Sequence, residues 1–254
     1  MGAVSTLSAE TLKVPGASLY YEIRGSGPVL IMLPGGPADA TTFRRIEDDL
    51  ARKYTVVTYD PRGLSHSKLD EPIDDSQMVQ TYADDVHRLL RKVAGAAKSS
   101  VFANSGGAVV ALELAARHPE QLDVVVVHEP PSPTLQPKPA EVRAAMEHVC
   151  DTCATAGMWA AMQEFMVLIG AQGGPPPAPQ GEPTPAQQEV VAMMQGNMDF
   201  FFGRYIRNIA RYEPDLGTLK ASPCTILPAI GAESVEASWL APAASAWRAR
   251  SARP

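Results

Sequence analysis

Cysteine is scarce: Cys150, Cys153 and Cys224 are the only three in 254 residues. An odd number of thiols with no secretory leader pattern argues against a disulfide framework and for reduced thiols in the cytoplasm. Cys150 and Cys153 do form a C-x-x-C just after His148. No fourth ligand stands nearby in sequence and no thioredoxin-like unit surrounds the pair, so neither a metal nor a redox centre is expected there. Positive charge is also short, 22 Lys and Arg against 28 Asp and Glu, a net charge of −6. With no basic stripe, nucleic acid is not an expected partner. Apolar runs break well short of the roughly 20 residues a membrane span requires, so no membrane association is expected either. Histidine is rare, five residues, and none follows His148.

What is present is an alternation. Thr11–Val14 and Ser18–Ile23 read as strands joined at Pro15-Gly16. Val29–Leu33 is a continuous apolar run of the kind buried on both sheet faces. A helix is expected over about Thr41–Lys53, a strand over Tyr54–Tyr59, and an amphipathic helix over Gln77–Val93 with Val79, Tyr82, Val86, Leu89 and Leu90 on one side. Strands at Val101–Phe102 and Asp123–His128 follow, separated by an alanine-rich helix, and Thr225–Ile230 returns to strand. Strands alternating with helices of this length predict right-handed βαβ units, hence an α/β fold with a doubly wound, mostly parallel sheet. Residues 132–220 carry no strand pattern and are expected to form an inserted helical lid. Its helices are predicted over about Ala140–Cys153, Met158–Ile169 and Pro185–Arg211, with the proline-rich Gly173–Pro185 between the last two. Met158, Met162, Met166, Met193, Met194 and Phe200–Phe202 supply apolar side chains that either line a pocket or hold the lid together. The core is then residues 1–131 and 221–254.

The stretch Val101-Phe-Ala-Asn-Ser-Gly-Gly-Ala108 leaves no room for a loop between strand and helix. A chain making that change so abruptly holds its central residue, Ser105, in a strained, exposed turn, and needs small neighbours two residues away on either side. Ala103 and Gly107 are small. This is the G-x-S-x-G form of a nucleophile elbow with alanine for the first glycine. The competing reading makes Ser105 an ordinary polar cap on a helix that begins with glycine. Parallel sheets carry their chemistry at the carboxyl ends of the strands. Pro34–Pro37, Asp60–Ser67, Asn104–Gly107 and His128–Pro131 all fall on that edge, which favours the elbow.

Together, Tyr20-Tyr-Glu-Ile-Arg-Gly-Ser-Gly-Pro28, Leu33-Pro-Gly-Gly36, Tyr59-Asp-Pro-Arg-Gly63, Asn104-Ser-Gly-Gly107 and Arg117-His-Pro-Glu120 resemble an α/β-hydrolase over about residues 10–235. The resemblance implies hydrolysis of a small ester, lactone or related acyl substrate, with Ser105 as nucleophile and no cofactor. It maps the oxyanion-hole amides to Gly36 and Gly106, and the substrate-binding positions to Gly35, Asn104 and Glu129. It puts the triad acid at Glu233, or alternatively at Glu129, where haloalkane dehalogenases carry theirs.

The family's histidine should follow a further helix and strand beyond the acid. Only 21 residues lie beyond Glu233, and none is histidine. The tail Ala241–Pro254 resembles the product of a premature stop or shifted frame, so the last strand and helix are expected to be missing. His128, at the end of the strand expected beside that of Ser105, and His66, on an active-edge loop, are the candidate substitute bases. Without a working base, the chain would be an inactive hydrolase fold or a small-ligand binding module. A strand left at the sheet edge is expected to pair with a second copy, giving a homodimer.

Overall fold

The computed structural model describes residues 7–170, 184–232 and 234. The proline-rich 173–183, Glu233 and the tail 241–254 lie outside the described residues.

β1 (Ser8–Val14) and β2 (Ala17–Arg24) form an antiparallel hairpin across Pro15-Gly16, with Gly16 at φ 73°. β3 (Val29–Leu33) is buried at every residue, as a strand covered on both faces must be. A 3₁₀ turn, Ala40–Phe43, then leads into α1 (Arg44–Leu50). This departs from the single helix expected over about Thr41–Lys53. The Asp39 carboxylate accepts the Thr41 backbone N–H and hydroxyl and draws the first turn tight.

β4 (Thr55–Tyr59) is followed by a two-residue strand the sequence did not announce, β5 (Lys68–Leu69), which pairs back on β2. Two residues are too few to show a period. Next come α2 (Met78–Ala94), β6 (Ser99–Asn104), α3 (Gly106–Arg117) and β7 (Leu122–His128).

The inserted region is helical. It comprises α4 (Pro139–Ala156), α5 (Met158–Leu168), α6 (Pro185–Phe200), α7 (Ile206–Arg211) and α8 (Leu216–Ala221). A π turn, Phe201–Tyr205, joins α6 to α7 without a break, so the expected helix over Pro185–Arg211 is one rod with a local widening. β8 (Thr225–Ala229) closes the described sheet.

Strand order is β1-β2-β4-β3-β6-β7-β8, with β3, β4, β6, β7 and β8 mutually parallel. Register runs straight across the centre: Ile31 faces Val101, Val101 faces Val125, and Val125 faces Ile226. Side-chain alternation then divides the core. Ile31, Leu33, Val57, Val101, Ala103, Val125 and Val127 join the main cluster with α2 and α3, while Leu30, Met32 and Val56 face Phe43 and Ala51, with Phe102 packed against them. β8 is the outermost described strand on its side, and its Leu227 is 46% exposed.

Candidate active site

Straight register brings the ends of β3, β4, β6, β7 and β8 to one edge, where Asn104 pairs with His128 and His128 with Ala229. Ser105 sits there between β6 and α3 at φ 52°, ψ −128°, a region disfavoured for any residue with a Cβ. Its N–H donates to the His128 carbonyl at 2.8 Å and its own carbonyl accepts Ala108 N–H at 2.9 Å. The main chain is thus held at both sides of the bend. Its side chain makes no capping hydrogen bond, which removes the reading of Ser105 as an ordinary helix cap.

The bend is possible because two glycines let other backbone approach it. A Cβ on Gly107 would lie 2.5 Å from the Pro34 carbonyl oxygen, and one on Gly35 would lie 2.6 Å from both Ser105 Cβ and the Asn104 carbonyl oxygen. Gly35, expected among substrate-binding positions, is therefore packed directly beneath the elbow. Gly36 (φ 64°) and Gly106 instead line one cavity together with Ser105. Gly106 N–H belongs to the first turn of α3, where amides lack intrahelical acceptors and the helix dipole is positive.

The other walls of this cavity are mostly apolar and come from the inserted helices: Met146, Phe165, Phe201, Tyr205 and Ile209 among them. Its volume is about 30 Å³. Phe201 is the one member of the expected methionine and phenylalanine lining to reach it. Met158 and Met162 pack against the main core, and Met194 is 61% exposed. Tyr205 was not foreseen. The π turn buries Phe201, Phe202 and Tyr205 together, and the Tyr205 hydroxyl would be 2.5 Å from any Cβ on Gly106. Burial pushes the Tyr205 phenol well above its ordinary range, so it is a neutral hydrogen-bonding group.

A second contact fastens the insert to the loops at this edge. Buried Asn197 of α6 donates to the Pro37 carbonyl at 3.0 Å and to Ser65 Oγ at 2.8 Å, and accepts the Ser65 N–H at 2.8 Å. Ser65 Oγ donates onward to Asp39 Oδ2 at 2.8 Å. One amide side chain thus ties the insert to the loop that carries Gly36.

The remaining candidates are dispersed. Asn104 Oδ1 is buried without a hydrogen-bond partner among the described residues. Glu129 has φ 50°, and its Oε1 accepts Gly231 N–H at 2.9 Å, bracing the exits of β7 and β8 together. The His128 ring lies 6.2 Å from that of Phe102, on the α1 side of the sheet, with Nδ1 4.0 Å from Glu129 Oε2. His66 tilts against Tyr20, and its Nδ1 lies 2.9 Å from Asp60 Oδ2. Burial raises the Asp60 carboxyl, against the lowering effect of the Ala40 and His66 N–H groups it accepts. Because β3 intervenes between β4 and β6, His66 starts about 10 Å from the Ser105 strand, and its contact with Tyr20 turns it farther away.

Arg62, in the Asp60–Ser67 loop on this edge, is turned inward. It is 5% exposed and forms a two-pronged pair with Asp85 at 2.8 and 2.6 Å. The cysteines are all free, and Cys150 and Cys224 are buried. No helix among the described residues is long and apolar enough to cross a membrane.

Comparison with known proteins agrees with this architecture. Residues 28–149 match the family model described as alpha/beta hydrolase fold. The uncharacterized hydrolase YraK of Bacillus subtilis (strain 168) is 47% identical over 125 residues, covering 49% of this chain and 45% of YraK. The chain therefore spans about half the length of that relative. Among solved structures, a bacterial membrane phospholipase A superposes with a TM-score of 0.70 at 21% identity, over 98% of this chain and 76% of the other. The enol-lactonase of Burkholderia xenovorans LB400 gives 0.59 at 18% identity, over 86% and 80%. With its strand order, its bend at Ser105 and its helical insert, the chain has the α/β-hydrolase fold, the fold of the family whose model its residues 28–149 match.

Proposed function

We propose that this chain is a serine hydrolase acting on a small ester, lactone or related acyl compound. The observation that carries the reading is Ser105 held at positive φ in one cavity with Gly36 and Gly106. Ser105 Oγ attacks the substrate carbonyl carbon, and the negative oxygen that forms is received by the N–H groups of Gly36 and Gly106. The Oγ proton passes to a base and then to the departing alcohol as the acyl-enzyme forms. Water reverses the sequence and releases the acid. The hydrolase and enol-lactonase names of two relatives are consistent with acyl chemistry, and the small apolar cavity with a small acyl group. Met146, Phe165 and Phe201 would set its size.

For the base we favour His128 over His66, because β7 adjoins β6 at one strand spacing, about 5 Å, and Glu129 stands beside its ring. The acid is Glu233, or Glu129 paired with His128. The competing reading is an inactive fold that binds a small ligand under the insert. It is favoured by the engagement of His66, His87 and His118 elsewhere.

A fluorophosphonate probe separates the two. Labelling of the wild type, lost in Ser105→Ala, supports the hydrolase. An unlabelled wild type, stabilised thermally by a ligand equally well with or without the hydroxyl, sinks it. We also propose that β8 of one copy pairs with β8 of another, because β8 stands outermost among the described strands on its side. Sizing by light scattering is expected to give a dimer, and a monomer at all concentrations overturns the pairing.

A further inference from the structure

Among the described residues that line the cavity at the Ser105 bend, only Ser105 and Tyr205 carry a side-chain O–H or N–H group. Resting on the proposed role of Ser105 as nucleophile, we propose that the Tyr205 hydroxyl is a third donor to the oxyanion, a catalytic residue supplied by the helical insert.

Tyr205 ends the π turn between α6 and α7 and is 4% exposed. Its ring packs against those of Tyr82 and Phe201, each at 5.9 Å between centroids, which fixes where the hydroxyl points. Tyr82 donates its own hydroxyl to the Arg62 carbonyl at 2.8 Å. The Tyr205 hydroxyl makes no hydrogen bond to any described residue, and burial alone keeps it protonated, so it can donate and does not serve as the base. An O–H kept from water without an acceptor is costly, and a bound acceptor removes that cost.

Its position identifies the acceptor. A Cβ on Gly106 would lie 2.5 Å from Tyr205 Oη and 2.7 Å from its Cε1. One carbon–carbon bond of about 1.5 Å separates that point from Cα, so Oη stands within about 4 Å of Gly106 Cα. The residue whose amide would receive the oxyanion thus has no side chain where the phenol enters. When Ser105 Oγ bonds to the acyl carbon, the carbonyl π pair moves onto oxygen and the Oγ proton leaves to the base. A carbonyl oxygen has two lone pairs, which the Gly36 and Gly106 amides would occupy. The tetrahedral oxyanion has three, and the third is free for the phenol. This bond therefore belongs to the transition state and not to bound substrate.

Steady-state hydrolysis of p-nitrophenyl acetate by the full chain tests the role. Tyr205→Phe keeps the ring and removes the donor. It should lower kcat on the order of a hundredfold with KM little changed. It should weaken inhibition by trifluoroacetone, which forms a like tetrahedral adduct on Ser105, by a similar factor. Tyr82→Phe, which removes a neighbouring buried hydroxyl outside the cavity, should leave kcat unchanged. Wild-type values in Tyr205→Phe, an equal loss in Tyr82→Phe, or a change confined to KM would each overturn the donor role and leave Ser105 as nucleophile. A wild-type chain that turns over no ester overturns the hydrolase reading and the donor role with it.

Discussion

Ser105→Ala should lower kcat on an activated ester by on the order of a thousand- to a million-fold. The upper figure applies where an imidazole fully assists the hydroxyl, and weaker assistance shrinks the wild-type rate and so the ratio. A second substitution at the same position separates chemistry from conformation. Serine at φ 52°, ψ −128° holds backbone strain of about 1–3 kcal/mol that glycine does not carry. Ser105→Gly should therefore be as inactive as Ser105→Ala yet unfold at higher denaturant, by about 1 kcal/mol. Equal stability of the two variants would show that the bend costs nothing. Full activity in Ser105→Ala would move the nucleophile elsewhere.

The largest stability effect is expected at Asp85. Its carboxylate is buried and meets Arg62 through Nε and Nη2, while Arg62 Nη1 donates to the Pro15 carbonyl at 2.9 Å and its carbonyl accepts the Tyr82 hydroxyl at 2.8 Å. The pair knits the β1–β2 turn, the loop after β4 and helix α2. Asp85→Ala leaves a guanidinium stranded away from water, which should cost about 3–5 kcal/mol in urea unfolding. Replacing both members, Arg62→Met with Asp85→Leu, should recover most of that loss, since the penalty comes from the unpaired charge and not from the absence of the bridge. A loss below about 1 kcal/mol in Asp85→Ala would mean that water reaches Arg62 in the folded state.

That ion pair also marks where reading the chain as a string stops. Arg62 reads as a cation on the active edge, because its loop Asp60–Ser67 lies there. Its partner stands 23 residues on, and only packing of α2 against the sheet turns the side chain inward. Asn197 is similar: its contacts with Ser65 span 132 residues, and no local pattern distinguishes it from any other polar residue on a helix. Glu129 reads as an edge carboxylate, and the approach of β8 makes it a brace through Gly231 N–H. His87 and His118 read as two separate helix residues, and the packing of α2 beside α3 stacks their rings.

The sequence alone determined the main alternation of strands and helices, the helical insert and the bend at Ser105. Each depends on residues a few positions apart: apolar period, glycines at an abrupt strand-to-helix change, prolines at exits. Tertiary structure decided which charges face inward, which side chains close the cavity and which histidines meet. Those outcomes follow from burial and long-range packing, where a partner lies tens of residues away and a buried charge or amide must find it.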